Sequence, residues 1–190
     1  MMKSIVMACA ALILPAVSAG AAGVAMKISG PGAVNDSTIK AGEKVSFDLY
    51  FATDKELKGF SAGFRFFSTD IKKMTHVSDT AKGLSKAGDI RGFNGWNDKS
   101  LWDFLNMAVP KNWEGDLPDT IGFIAAVAKK VYAPHKEMKV ASITAIFSEP
   151  GTLMVDSTFY PPGGSWKIIL ADKKDAFPTW QGPYKWKVVK

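Results

Sequence analysis

Two neighbouring stretches of the chain alternate strictly between apolar and polar side chains. One is residues 44–51 and the other is residues 59–67. The apolar positions that share a face are Val45, Phe47, Leu49 and Phe51 in the first stretch and Phe60, Ala62, Phe64 and Phe66 in the second. A period of two is typical of strands with one buried face. Because the stretches lie close together, we predict an antiparallel hairpin connected by the polar residues 53–56.

Further strands are predicted by short alternating or β-branched segments. They are residues 24–28, 72–77, 139–148, 152–157, 166–170 and 184–189. Turns rich in glycine and proline separate several of them, as in residues 161–164 and 181–183. About eight or more short strands with such turns indicate an all-β protein, an antiparallel β-sandwich.

Residues 121–132 fit two periods. The helical spacing is carried by Ile121, Ile124, Ala125, Ala128 and Val131, and the strand alternation by Ile121, Phe123, Ala125 and Val127. Periodicity alone does not separate a short helix from a strand. The surrounding strands favour a strand here.

A long stretch, residues 78–118, has a different composition, rich in Gly, Asn and Asp. It contains Trp96, Trp102 and Trp113, which we take as candidate ligand-binding residues. Long aromatic insertions on a sheet scaffold often carry binding functions, so we expect a contact patch within residues 93–113. The alternative is that these rings form a small satellite core. Residues 100–108 also fit one short helix capped by Ser100.

The first 21 residues have the order of a secretory signal peptide. Lys3 precedes an apolar stretch over residues 5–14, and small residues predict cleavage near Ala19 or Ala21. Residues 22–190 would then form one β-sandwich domain with no membrane span. The only cysteine, Cys9, lies in the removed segment, so no disulfide is expected. The predicted location is extracellular, secreted, or periplasmic.

The charge of the chain is basic but of a kind that disfavours nucleic-acid binding. The formal net charge is +6, and of the 24 basic residues only Arg65 and Arg91 are arginines. Recognition of bases and phosphates relies largely on the planar guanidinium group, whereas scattered lysines are typical of a solvated surface. We therefore expect no nucleic-acid partner.

The six tryptophans divide by position. Trp166 and Trp186 lie within predicted strands, where a core position is expected, and Trp180 lies near a Pro/Gly turn, where it can cover one end of the sandwich. The other three are the insertion residues named above.

Neither a catalytic site nor a transition-metal site emerges from the residues. His76 and His135 are the only histidines, and they have no partners at ligand spacing. Glu114, Asp116 and Asp119 lie near Trp113. A glycosidase needs two carboxylates, but the turn residues among these three favour solvated carboxylates over catalytic ones. We predict no cofactor; calcium stays open, with the candidate ligands Asn94, Asn97 and Asp98, or Asp116 and Asp119.

Several segments resemble a group of uncharacterised secreted bacterial β-sandwich proteins. The matching residues are Gly151, Thr152, Leu153, Asp156, Ser157, Phe159, Pro161, Pro162 and Trp166, the segment 182–186, and upstream the segment 113–121. The opening strands, with Gly42 before Val45 and Gly59 before Phe60, are similar to cohesin-like and carbohydrate-binding sandwiches. The resemblance implies a cohesin-like or jelly-roll-like fold and an extracellular location.

Two departures from that group are visible. Its members often carry an appended dockerin-type calcium module, which we do not expect here because the last predicted strand runs almost to Lys190. They also often carry cysteines where this chain has Met154, Thr158 and Lys185, so the disulfide implied by the resemblance is absent.

These observations predict a secreted, non-catalytic binding or adhesion module. Its expected partner is a polysaccharide or an extracellular protein at the cell surface. The alternative is a structural subunit of an extracellular filament or surface assembly, in which a free N-terminal strand over residues 24–28 pairs with the sheet edge of a neighbouring copy.

Overall fold

The described part of the chain is built from strands. The computed structural model describes residues 23–77, 104–108, 114–126, 135–159 and 166–190. The strands are β1 (Gly23–Ser29), β2 (Ala33–Asn35), β3 (Thr38–Lys40), β4 (Lys44–Thr53), β5 (Leu57–Phe67), β6 (Lys73–Val77), β7 (Phe104–Ala108), β8 (Glu114–Asp116), β9 (Asp119–Ala126), β10 (His135–Ile146), β11 (Gly151–Ser157), β12 (Lys167–Leu170), β13 (Asp175–Ala176), β14 (Thr179–Trp180) and β15 (Tyr184–Val189). The all-β prediction is confirmed. Within these residues no helix is long and apolar enough to cross a membrane.

The described parts of the ambiguous segment and of the expected short helix both form strands. β9 covers the first part of the ambiguous segment, so the favoured strand is confirmed there. The helix considered for residues 100–108 is wrong over its second half, because β7 lies there and pairs with β9 from Phe104 to Ala108. Pairing with a neighbouring strand overrides the weak local helical signal.

The strands form two sheets. Sheet A has the order β14-β1-β4-β10-β6-β8, and sheet B has the order β13-β12-β5-β11-β15-β3-β2. In sheet B, β12 and β11 pair with opposite ends of one edge of β5, β9 pairs with the other edge, and β7 pairs with β9. Most pairings are antiparallel; β1 with β14 and β15 with β3 are short parallel pairs. Both sheets are therefore mixed, and they enclose the core between them.

The predicted hairpin is wrong, although both of its strands exist. β4 pairs with β1 and β10 in sheet A, whereas β5 pairs with β9, β11 and β12 in sheet B. The two strands face each other across the core, with ring centroids 5.2 Å apart for Phe47 and Phe66 and 4.7 Å apart for Phe51 and Phe60. Alternation reveals a buried face, but it does not say whether the next strand lies beside that face or opposite it.

Aromatic rings fill the centre of the sandwich. Phe47 on β4 is fully buried and packs edge-on against Phe66, Phe147 and Trp186. Edge-to-face geometry of this kind adds to the free energy gained by burial alone. The core prediction for Trp186 is confirmed, since this side chain is 2% exposed.

A second group of rings closes one side of the sandwich. Trp180 packs against Phe64, Trp166 and Tyr184 at centroid distances of 5.5, 5.0 and 5.1 Å. Trp166 and Trp180 are partly buried against the core. Their indole N–H groups donate to the Gly63 carbonyl at 2.6 Å and to Oδ1 of Asp156 at 3.0 Å. The paired N–H groups identify these rings as structural parts of the fold.

The strand over residues 24–28, expected to be free, lies within β1, which pairs with β4 over its whole length and is covered along part of its other edge. β14 pairs with Gly23 and Val24, and the backbone N–H of Gln181 donates to the Val24 carbonyl. The backbone N–H of Met26 donates to the Tyr184 hydroxyl at 3.1 Å. The C-terminal segment therefore covers the first half of this edge and removes groups that a neighbouring strand would need.

Replacing Tyr184 by phenylalanine is expected to lower the free energy of unfolding by about 1 kcal/mol, because the Met26 N–H loses its acceptor. Burial raises the pKa of Tyr184 above its ordinary value of 10.0. The folded state therefore holds this proton more tightly, and the stability it contributes is lost as the pH rises above 10.0 through the raised pKa. Urea titrations should show a smaller alkaline loss in Tyr184→Phe than in the parent; equal losses would contradict this account.

Candidate binding surface

The three tryptophans singled out as binding residues lie outside the described residues. Trp96, Trp102 and Trp113 are in residues 78–103 and 109–113, so the aromatic contact patch stays a prediction. The signal peptide over residues 1–21 and the possible calcium ligands Asn94, Asn97 and Asp98 also lie outside.

The acidic residues next to Trp113 divide between the two sheets. Glu114 and Asp116 are the first and last residues of β8, which pairs with β6 in sheet A. Asp119 begins β9, which pairs with β5 in sheet B. Asp119 is 2% exposed, and its Oδ1 accepts the Thr120 N–H at 2.8 Å. No group of three or more His, Cys, Asp or Glu side chains is placed to hold a metal ion in the part of the chain that the structure describes.

The outer face of sheet B carries a small set of side chains suited to binding. Their neighbours Phe66, Leu153, Val155, Trp186 and Val188 are buried, so the alternation turns the intervening residues away from the core. We call the following set the basic face: Arg65 and Phe67 on β5, Met154 on β11, and Lys185 and Lys187 on β15. These five residues come from three adjacent strands.

Strand register brings the members of the basic face into rows. Met154 lies opposite both Phe67 and Lys185, which gives one continuous row across three strands. Lys187 lies opposite both Thr152 and Thr38, which gives the next row. Facing side chains in neighbouring strands lie about 5 Å apart, so each row is a contiguous surface.

The basic face has an apolar centre and cations that pair with no described residue. Phe67 and Met154 are half-buried, and the Arg65 guanidinium lies 5.6 Å from the Phe67 ring centroid. Arg65, Lys185 and Lys187 are exposed, and none of them forms an ion pair with another described residue. The three cations outnumber Asp156, the carboxylate opposite Arg65 on β11, so this face has a positive potential that attracts acidic surfaces.

A shallow cavity of about 720 Å³ adjoins the basic face and shares Lys185 and Lys187 with it. It is lined by Ser37, Thr38, Asp70, Pro150, Gly151, Thr152, Lys185, Lys187 and Val188. The glycine in this lining is required by a close approach: a Cβ atom at Gly151 would lie 2.8 Å from Asp70 Cβ and from Ile71 Cγ1. The loop that contains Asp70 can therefore pack directly against the start of β11.

The outer face of sheet A differs, because several of its charges are paired with one another. Asp48 is 3% exposed and accepts hydrogen bonds from Ser29 Oγ at 2.7 Å and Ser142 Oγ at 2.5 Å. Lys139 Nζ lies 2.6 Å from Asp48 Oδ1, and Lys27 Nζ lies 2.6 Å from Glu137 Oε1. This network fastens β1 and β10 to β4 between them, which is a structural role.

Replacing Asp48 by alanine is expected to lower the free energy of unfolding by about 2 kcal/mol, because two hydroxyls and one ammonium group lose a buried charged partner. The matched control is Glu137→Ala, which removes an ion pair whose two side chains are 46% and 43% exposed. Such surface pairs contribute about 0–1 kcal/mol. Chemical unfolding followed by tryptophan fluorescence measures both; equal losses would contradict the structural role of Asp48.

Sequence reasoning did not identify the basic face. Its signal in the sequence is Lys185 and Lys187 at alternate positions of a predicted strand, which places both on one side. Arg65 and Phe67 lie more than 110 residues earlier in the chain. These residues come together on one face only because β5 pairs with β11 and β11 pairs with β15.

Comparison with known proteins identifies the fold. No protein-family model matches the sequence, and no curated protein matches it. Among solved structures, type II cohesin A11 from Bacteroides cellulosolvens has a TM-score of 0.59 at 10% identity, over 88% of this chain and 99% of its own. A type II cohesin domain from the cellulosome of Acetivibrio cellulolyticus has a TM-score of 0.53 at 12% identity, over 86% and 95%.

A third similar structure is a chain of a type I cohesin–dockerin complex from Clostridium thermocellum. Its TM-score is 0.51 at 11% identity, and the match covers 87% of this chain and 97% of that one. At sequence identities this low, the structural similarity supports a shared fold but not a shared partner. The described strands form a cohesin-like β-sandwich.

Proposed function

We propose that this protein is a secreted, non-catalytic module that binds a protein partner on its basic face. The observation that carries the proposal is the cohesin-like fold together with a cationic, partly apolar face on sheet B. A dockerin-type module is the partner we propose, since a similar type I cohesin is described in complex with a dockerin. The predicted signal peptide and the cellulosomal origin of a similar cohesin support an extracellular location.

The composition of the basic face supports a protein partner. Aromatic residues, methionine and arginine are enriched where proteins meet, and all three types occur here as Phe67, Met154 and Arg65. The flanking lysines supply a charged rim. On the outer face of sheet A, Lys27 pairs with Glu137 and Lys139 pairs with Asp48, so these charges are less available to a partner.

The direct test measures binding between the purified chain and recombinant dockerin modules of types I and II by isothermal titration calorimetry. Micromolar or tighter binding to at least one dockerin is expected. The matched control variants carry the same charge reversal on the two faces, Arg65→Glu on β5 and Lys44→Glu on β4. Absence of binding to every dockerin, with the chain folded by circular dichroism, would overturn the proposal.

A polysaccharide is the second candidate ligand. Two exposed rings favour it, because Phe159 is 66% exposed and Phe177 is 73% exposed, and flat rings of this kind stack on sugar faces. Titration with a glycan panel, followed by tryptophan fluorescence, tests this candidate. Saturable glycan binding that Phe177→Ala weakens would favour it over the protein partner.

A further inference from the structure

The cavity beside the basic face contains two lysines and three hydroxyl side chains in a small space. Resting on the proposed function, we infer that this cavity is a subsite for carboxylate side chains of the protein partner, so that an acidic segment of the partner inserts there. The subsite is distinct from the apolar centre of the basic face, because Phe67, Met154 and Arg65 do not line it.

The cations are placed to act together. Lys185 and Lys187 occupy alternate positions of β15 and point to the same side, about 7 Å apart along the strand. Each ammonium group has three donors on a flexible stem. Two such groups at this spacing can bind one carboxylate between them or two carboxylates of neighbouring residues.

Hydroxyl groups complete the donor set. Lys187 lies between Thr152 and Thr38 in the adjacent strands, and Ser37 immediately precedes β3. A hydroxyl can donate to a carboxylate oxygen, and hydrogen bonds to a charged acceptor are stronger than neutral ones. The subsite thus offers donors from two strands on either side of the central lysine.

The charge balance and the shape of the cavity favour a peptide carboxylate. Asp70 is the one acidic side chain in the lining, and its Oδ1 already accepts a hydrogen bond from Thr69 Oγ1 at 3.0 Å. The two lysines leave the lining net positive. Its nine residues include no aromatic ring on which a sugar could stack, which disfavours a polysaccharide in this place. A volume of about 720 Å³ accommodates two acidic side chains.

Hexaglutamate is the probe for this subsite, and hexaglutamine is its neutral counterpart. Backbone amide shifts of the full chain, measured by nuclear magnetic resonance at low salt, should move at Thr152 and Lys187 with hexaglutamate only. The double variant Lys185→Gln/Lys187→Gln should bind hexaglutamate about fivefold more weakly. The matched control, Lys44→Gln/Lys55→Gln, removes two exposed charges away from the cavity and should change binding less than twofold.

Several results would overturn the subsite. Equal weakening in the two double variants would mean that the peptide responds only to net charge. Tighter binding of polygalacturonate than of hexaglutamate, with the same lysine dependence, would assign the cavity to an acidic polysaccharide instead. A dockerin that binds Lys185→Gln/Lys187→Gln as tightly as the parent would refute the subsite and leave the proposed function intact. Hexaglutamate bound in the cavity while no dockerin binds would uphold the subsite and refute the proposed function.

Discussion

Phe47→Ala is expected to lower the free energy of unfolding by about 3–5 kcal/mol, the range seen when a fully buried phenylalanine is truncated. The ring has no exposed surface, and it contacts rings from both sheets, Phe66 and Trp186 in sheet B and Phe147 from the chain just after β10. Its neighbours belong to different strands, so they cannot close the cavity without moving the sheets.

Urea unfolding followed by far-ultraviolet circular dichroism measures this loss. The matched control is Phe177→Ala, because that ring is 73% exposed and its removal should change stability by less than about 0.5 kcal/mol. A loss below about 1.5 kcal/mol in Phe47→Ala would show that the centre of the sandwich is loosely packed, contrary to the described core.

Arg65→Glu is expected to weaken binding to a dockerin about 10- to 100-fold. The substitution places a negative charge in the middle of a surface that we propose to meet acidic residues, and like charges across an interface are strongly unfavourable. It also removes the cation that lies over the Phe67 ring. Arg65 is exposed, but Asp156 lies opposite it on β11 and would face a like charge in the variant, so circular dichroism must first show that the variant is folded.

The comparison variant for this prediction is Lys44→Glu, which makes the same type of charge reversal at an exposed position of sheet A. It should change the dissociation constant less than threefold. Calorimetric titrations at two salt concentrations separate a local effect from a general one. If both variants weaken binding alike, the partner does not use the basic face.

Alternation in the sequence predicted the inward faces of the long strands. Every position assigned to the buried face of β4, from Val45 to Phe51, is indeed buried. The pairing of strands was not available from the same pattern, since β4 and β5 each have a buried face whether they pair side by side or stack across the core. Long-range partners decide the matter: Ser46 lies opposite Thr144 on β10, 98 residues away.

The shortest strands and the candidate binding surface were beyond sequence reasoning. β13 and β14 have two residues each, and a period of two cannot be recognised over two positions. The lysines of β15 read as part of a scattered basic surface, because their relation to Arg65 depends on the register of three strands. The three tryptophans of the predicted aromatic patch lie outside the described residues.

Two hydrogen bonds join the N-terminal and C-terminal segments of the described chain, and they affect the order of folding. The Met26 N–H and the Tyr184 hydroxyl are 158 residues apart, and the Trp186 indole reaches the Asp36 carbonyl across 150 residues. Contacts of such high sequence separation slow folding, because a long loop must close before they form. During synthesis β1 must wait until residues 179–184 have emerged before its outer edge is covered.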